Sequence, residues 1–223
     1  MISRRHISMR TKHLIVGASA LVVALGWCSV SSAQAEWVHE GQANEGKWTL
    51  GARTGFNIPT QSWSNDTETS IGPTPINLQA MYGINKWMRL GFMMEWERRS
   101  VDSRNPSFDL GTLNTVSLLP TVEFRPGHFS GVTPYLSTSI GVNVNSFSEA
   151  DDAENRGLRT ISQANTFAYR LAGGLDFPLT QNLMLNTEAA WKRNRGGLEI
   201  NNQDAGSFDA SSISLLVGVR YTF

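Results

Sequence analysis

Cysteine is almost absent. The 223 residues contain one, Cys28, close to the N-terminus. From residue 36 onward there is no thiol, which excludes a disulfide scaffold, a cysteine-ligated zinc site and a cysteine nucleophile. Histidine is scarce too, with only His39 and His128 past residue 35. Basic runs are missing as well. Residues 1–35 hold Arg4, Arg5, Arg10 and Lys12 and no acid, so the 19 basic and 19 acidic residues divide to leave 15 against 19, a formal −4, in the remainder. That balance excludes nucleic acid as a partner. Beyond residue 35 no apolar run approaches 18 residues, so no transmembrane helix is expected there. The remaining 188 residues are enough to bury a core without a staple.

What is present first is a targeting segment. A basic stretch, residues 1–13, precedes an apolar one from Leu14 to Val30, and Ala33 and Ala35 supply the small residues of a signal-peptidase site. Residues 1–35 are predicted to be a signal peptide cleaved after Ala35, and 36–45 a short periplasmic segment. The competing reading is an uncleaved anchor, since 17 residues is long for such an apolar segment. Trp27 before Cys28 argues against a lipid-anchored N-terminus.

Residues 46–223 alternate with period two almost throughout. Trp48, Leu50, Ala52, Thr54 and Phe56 interleave with Thr49, Gly51, Arg53 and Gly55. Ile213, Leu215, Val217, Val219, Tyr221 and Phe223 interleave with Ser214, Leu216, Gly218, Arg220 and Thr222. Eight such runs are expected at 46–58, 75–84, 87–97, 112–124, 133–146, 166–177, 183–193 and 211–223, separated by 16, 2, 14, 8, 19, 5 and 17 residues. Alternating long and short connections predict an all-β, eight-stranded antiparallel up-and-down transmembrane β-barrel with short periplasmic turns and long outer loops.

Alternation alone does not say which face points outward. A lipocalin-like barrel turns its apolar face inward and a membrane barrel turns it outward. Here one face is free of charge, while the other carries Arg53, Arg89, Glu95, Glu97, Glu123, Arg170, Asp176, Glu188, Lys192 and Arg220. Aromatic residues gather at the ends of the apolar face. Trp48, Tyr82, Phe124 and Phe177 lie toward the short turns, and Phe56, Trp96, Phe167 and Trp191 toward the long loops. Two belts suit two membrane interfaces, whereas ordinary strand aromatics would be scattered. The chain stops on Tyr221-Thr222-Phe223, an ending that resembles the insertion signal read by the barrel-assembly machinery of Gram-negative outer membranes. The expected surroundings are therefore outer-membrane lipid and lipopolysaccharide.

These residues resemble the outer-membrane protein W family. His39-Glu40 followed by Gly46-Lys47-Trp48-Thr49-Leu50-Gly51 looks like that family's first strand. Thr115-Val116-Ser117-Leu118-Leu119-Pro120-Thr121 is similar to its fourth. Thr133-Pro134-Tyr135-Leu136 with Gly141-Val142-Asn143 resembles its fifth, and Arg220-Tyr221-Thr222-Phe223 its ending. The resemblance implies passage or binding of small, often hydrophobic, compounds at the cell surface. The charged inner face departs from the apolar lumen of that family.

No catalytic, cofactor or metal site is expected. His128-Phe129-Ser130 superficially resembles the His-x-Ser pair of lipid A-modifying barrels, but the strand count places it in a periplasmic turn. Glu149, Asp151, Asp152 and Glu154 are read as a solvated acidic loop, because the spacing does not match a calcium loop. Pro120 is read as a local bulge or irregularity. The function expected is a non-enzymatic narrow channel, small-molecule binder of unknown ligand, or structural surface protein. The alternatives are a periplasmic lipocalin-like carrier of apolar ligands and, last, a lipid A-modifying enzyme. The lumen charges are expected to pair across the interior. Setting Phe177 opposite Leu183 brings Arg170 diagonal to Glu188, with Arg53 or Glu95 nearby.

Overall fold

The computed structural model describes residues 45–61, 67–69, 75–104, 107–128, 131–155, 161–201 and 203–223. The expected signal peptide and its cleavage site, His39, and the segment 36–45 up to residue 44 lie outside these residues. The elements are β1 (Trp48–Pro59), β2 (Thr67–Thr69), β3 (Ile76–Gly83), β4 (Met88–Arg104), β5 (Ser107–Phe124), β6 (Thr133–Glu149), α1 (Asp151–Glu154), β7 (Ile161–Gln163), β8 (Thr166–Pro178), β9 (Leu183–Arg193), β10 (Arg195–Ile200), β11 (Gln203–Asp209) and β12 (Ser212–Thr222).

Strands β1, β3, β4, β5, β6, β8, β9 and β12 each pair antiparallel with the next, and β12 returns to β1. The wall is therefore a closed eight-stranded barrel with no free edge along its length. Closure runs from Thr49↔Thr222 to Pro59↔Ser212. Because side chains alternate, Leu50, Phe56, Leu78, Phe92, Ile140, Leu171, Leu215 and Val217 all stand exposed on the outside. Their inward neighbours are buried, and most are polar or charged. This is the inverse of a water-soluble core.

The long connections differ from the loops expected at 59–74, 98–111, 147–165 and 194–210. β4 and β5 continue as a paired ribbon to Arg104↔Ser107, well beyond residues 97 and 112. β2 pairs with the upper part of β4. β7, β10 and β11 form a separate three-stranded sheet, and one helical turn, α1, lies between β6 and β7. That single turn is the one helical element among the described residues. The β4–β5 extension and the three-stranded sheet converge on an apolar cluster of Val101, Leu110, Leu113, Ile161, Leu198, Phe208 and Ala210. Burying that cluster gives the polar extension a reason to stay folded. In the expected acidic loop, Glu149 is a structural cap, since its Oε1 accepts the Ile161 N–H at 2.7 Å.

The register expected at the turn after β8 is off by two. Phe177 lies opposite Leu185 rather than Leu183, and Pro178 opposite Met184. The cause is local. Leu179 and Thr180 both donate their N–H to the Leu183 carbonyl, and Thr180 Oγ1 accepts from the Leu183 N–H at 3.1 Å. That closes a tight turn at 179–182 and leaves Pro178 in the strand.

Pro120 makes an irregularity in the ladder and not a bulge. The β5–β6 register is the same on either side of it, Leu118↔Val142 and Thr121↔Ser139, and only the pairings at 119 and 120 are missing. Those are the two that need a donor at Pro120, so the absent N–H faces β6. Opposite this gap, Gly141 lies so close to β5 that a Cβ would sit 1.9 Å from the Leu118 carbonyl oxygen. Gly141→Val is expected to force the two strands apart at a cost of about 1–3 kcal/mol. A lowered urea midpoint for the folded barrel in vesicles is the readout.

Candidate functional site

The barrel interior is filled in layers. At the short-turn end, Arg89 on β4, Glu123 on β5, Asp176 on β8 and Arg220 on β12 point inward with Arg125, the residue following β5. Arg220 Nη2 lies 2.8 Å from Glu123 Oε2, and its Nη1 lies 2.9 Å from Asp176 Oδ2. Arg125 Nη1 reaches both acids, at 2.8 and 2.7 Å. The Arg220 guanidinium also sits 4.3 Å from the centre of the Tyr135 ring, a cation–π contact strengthened by desolvation.

Above this layer lies a second cluster. Arg53 and Arg170 both ion-pair with Glu188, each through a very short contact. Arg170 Nε lies 3.5 Å from Glu95, and Lys192 Nζ bridges Glu95 at 2.8 Å and Glu97 at 2.6 Å. Arg99 completes the row, 2.9 Å from Glu97. Tyr135 joins the two clusters, because its hydroxyl donates to Glu188 Oε2 at 2.8 Å while its ring lies against Arg220. Neutral groups fill the remaining positions. Asn77 accepts from Arg53 and donates to Glu95, and Asn186 donates to Asp176.

Higher still is a belt of amides and hydroxyls. Thr115 donates to Asn145 at 2.9 Å, Thr166 donates to Asn194 at 2.7 Å, and Asn194 donates back to Asn145 at 2.9 Å. The apolar cluster under β10 and β11 lies beyond this belt.

All ten charged residues expected in the lumen are therefore inside the wall and buried. Lys47 shares their parity but sits exposed just before β1. Arg170 and Glu188 pair as anticipated, although by a different register: Arg170 lies opposite Lys192, and Glu188 opposite Gly174. Both anticipated neighbours are present, Arg53 on Glu188 and Glu95 on Arg170. Sequence reading did not pick out Arg99, Arg125 or Tyr135. The first two were discoverable, since each continues the inward parity of its strand two residues past Glu97 or Glu123.

The aromatic residues of the two belts point outward. Trp48 and Tyr82 pack at 5.3 Å and Tyr221 and Phe223 at 6.3 Å at the short-turn end, and Trp191 packs edge-on against Tyr169 at 6.1 Å at the other. Phe56, Trp96, Phe124 and Phe167 are exposed, and Phe177 is half-buried. A lipocalin-like carrier requires an apolar interior, which the inward charges deny. His128 lies beside the short turn after β5, with Nδ1 2.9 Å from Thr133 Oγ1, and Phe129 and Ser130 lie outside the described residues.

Solved structures with the same fold include the outer membrane protein OprG from Pseudomonas aeruginosa, 12% identical with a TM-score of 0.65, covering 81% of this chain and 97% of that one. AlkL, determined in lipid bilayers, is 15% identical with a TM-score of 0.57, covering 81% and 91%. Neisserial surface protein A is 17% identical with a TM-score of 0.52, covering 79% and 97%. At these identities the likeness is one of fold. No curated protein matches the sequence. The model of the outer membrane protein beta-barrel domain matches residues 20–223 and so takes in every strand of the wall; the chain belongs to that family of outer-membrane barrels.

Proposed function

We propose that this protein is a non-enzymatic outer-membrane barrel with a closed lumen, acting at the cell surface as a structural or ligand-binding element rather than as an open channel. One observation carries the reading: the interior is crossed by two layers of ion pairs, with Arg220 of β12 reaching Glu123 of β5 and Lys192 of β9 reaching Glu95 of β4. Eight strands enclose a space that side chains can fill. A path for solute would require several buried pairs to separate at once. Among the described residues the buried carboxylates are each engaged by a cation, which leaves none of them as a free base. In this class of barrel the short turns face the periplasm. The β4–β5 ribbon, β2, β7, β10 and β11 then form the part offered to the exterior. Export by residues 1–35 with cleavage after Ala35, insertion through Tyr221 and Phe223, and contact with lipopolysaccharide belong to the same proposal.

Purified protein in a planar bilayer is expected to show no steady conductance, with brief and small openings at most. A large, stable current from a single barrel would overturn the closed-lumen reading.

A further inference from the structure

The layer at the short-turn end holds three guanidinium groups and two carboxylates, and every carboxylate oxygen is already engaged. Glu123 Oε1 accepts from Arg125 at 2.8 Å and from Arg220 at 3.2 Å, while its Oε2 lies 2.8 Å from Arg220 Nη2. Asp176 Oδ2 accepts from Arg125 and Arg220, and its Oδ1 accepts from Asn186. Arg89 is left over. Its Nη1 comes no closer than 3.8 Å to Glu123 Oε1, and neither Nη1 nor Nη2 has a hydrogen-bond acceptor among the described residues. The residue is only 1% exposed. A buried guanidinium with its two terminal donors unmatched is an expensive arrangement, and the layer's surplus positive charge falls on it.

A compact anion that accepts two parallel N–H bonds would complete the layer, and a tetrahedral oxyanion has that geometry. We propose that Arg89, backed by Arg125 and Arg220, binds a small inorganic oxyanion of the phosphate or sulfate class at the periplasmic end of the lumen. Approach is from the rim. Arg125 has the least covered side chain of the layer, at 6%, and the exposed Pro126 follows it. Lys47, also exposed, hydrogen-bonds through its carbonyl to Gly83, the residue paired with Arg89, and so adds a positive charge at the same level. The closed lumen above the layer makes this a terminal site and not a conduction step. The inference is separate from the conductance reading, because a conducting barrel would still have Arg89 without an acceptor.

The test is calorimetric titration of inorganic phosphate into the folded barrel in nonionic micelles free of phospholipid, over a gluconate background of constant ionic strength. One saturable site per barrel is expected in the parent protein. Arg89→Gln should weaken it at least tenfold, and Arg195→Gln, at the opposite end, should leave it unchanged. Should Arg89→Gln fail to give the folded, heat-modifiable band, Arg89→Lys keeps the charge, loses the paired donors and must still weaken binding. A parallel titration with a soluble short-chain phosphatidylglycerol separates sources. Binding of that lipid without binding of free phosphate, absence of a saturable site in the parent protein, or equal binding by the Arg89 variants would each overturn the proposal.

Discussion

Glu188→Ala is expected to destabilise the folded barrel by about 3–5 kcal/mol, measured as a lowered urea midpoint in phospholipid vesicles. Glu188 holds two cations at once, Arg53 and Arg170, and accepts the Tyr135 hydroxyl as well. Removing it leaves two guanidinium groups buried without their shared carboxylate. Arg53 keeps Asn77 and Gln79 as acceptors, and Arg170 keeps only a 3.5 Å approach to Glu95. Replacing Glu188 and Arg170 together by apolar residues of similar volume should recover the share of the loss due to Arg170, because the cost lies in the unpaired charge rather than in the missing attraction. Arg53 stays without its carboxylate. A loss below about 1 kcal/mol for Glu188→Ala would mean that water reaches the layer freely.

Val217→Arg is expected to cost about 2–4 kcal/mol in the same assay, and Ile213→Arg only about 0–1. Both side chains stand on the outer face of β12. Val217 lies midway along the strand, facing Thr187 and Thr54, whereas Ile213 lies beside Trp191 in the upper aromatic belt. An arginine at the first position must cross hydrocarbon to reach water, and at the second it reaches the headgroups directly. Equal costs at the two positions would show that this face does not meet lipid.

Much of the wall is legible in the sequence, and the reason is specific to its surroundings. Between the aromatic belts the outer face must be apolar and the inner face need not be, so Leu215 against Leu216 is the only ambiguous step in β12 and charge settles the parity of most other strands. Beyond the belts that constraint disappears. Arg98, Arg99, Ser100 and Asp102 in β4 carry polar groups on both faces, so the strand continues with no alternation to announce it. β11, Gln203–Asp209, holds Gly206 and two aspartates and reads as a loop, although its pairing buries Phe208. Parity put the ten lumen charges inside the wall, but it does not set their partners. Arg220 and Glu123 are on opposite sides of the barrel, so their meeting depends on strand tilt and diameter, which period-two arithmetic leaves out. The two-residue slip after β8 has a similar origin. Only the backbone bonds onto Leu183 distinguish a four-residue from a five-residue connection.

The seam between β1 and β12 bears on how the chain folds. The hydroxyls of Thr49 and Thr222 lie 2.9 Å apart across 173 residues of sequence, so nearly the whole polypeptide must be delivered before its first strand gains a second neighbour. Contacts of that separation make for slow assembly, because loop closure is paid for long before pairing rewards it. In the interval β1 has an unpaired edge and a stripe of exposed apolar side chains, the combination that drives intermolecular strand pairing. Such a chain depends on being shielded until its last strand arrives, and the period of greatest risk falls between translocation and closure.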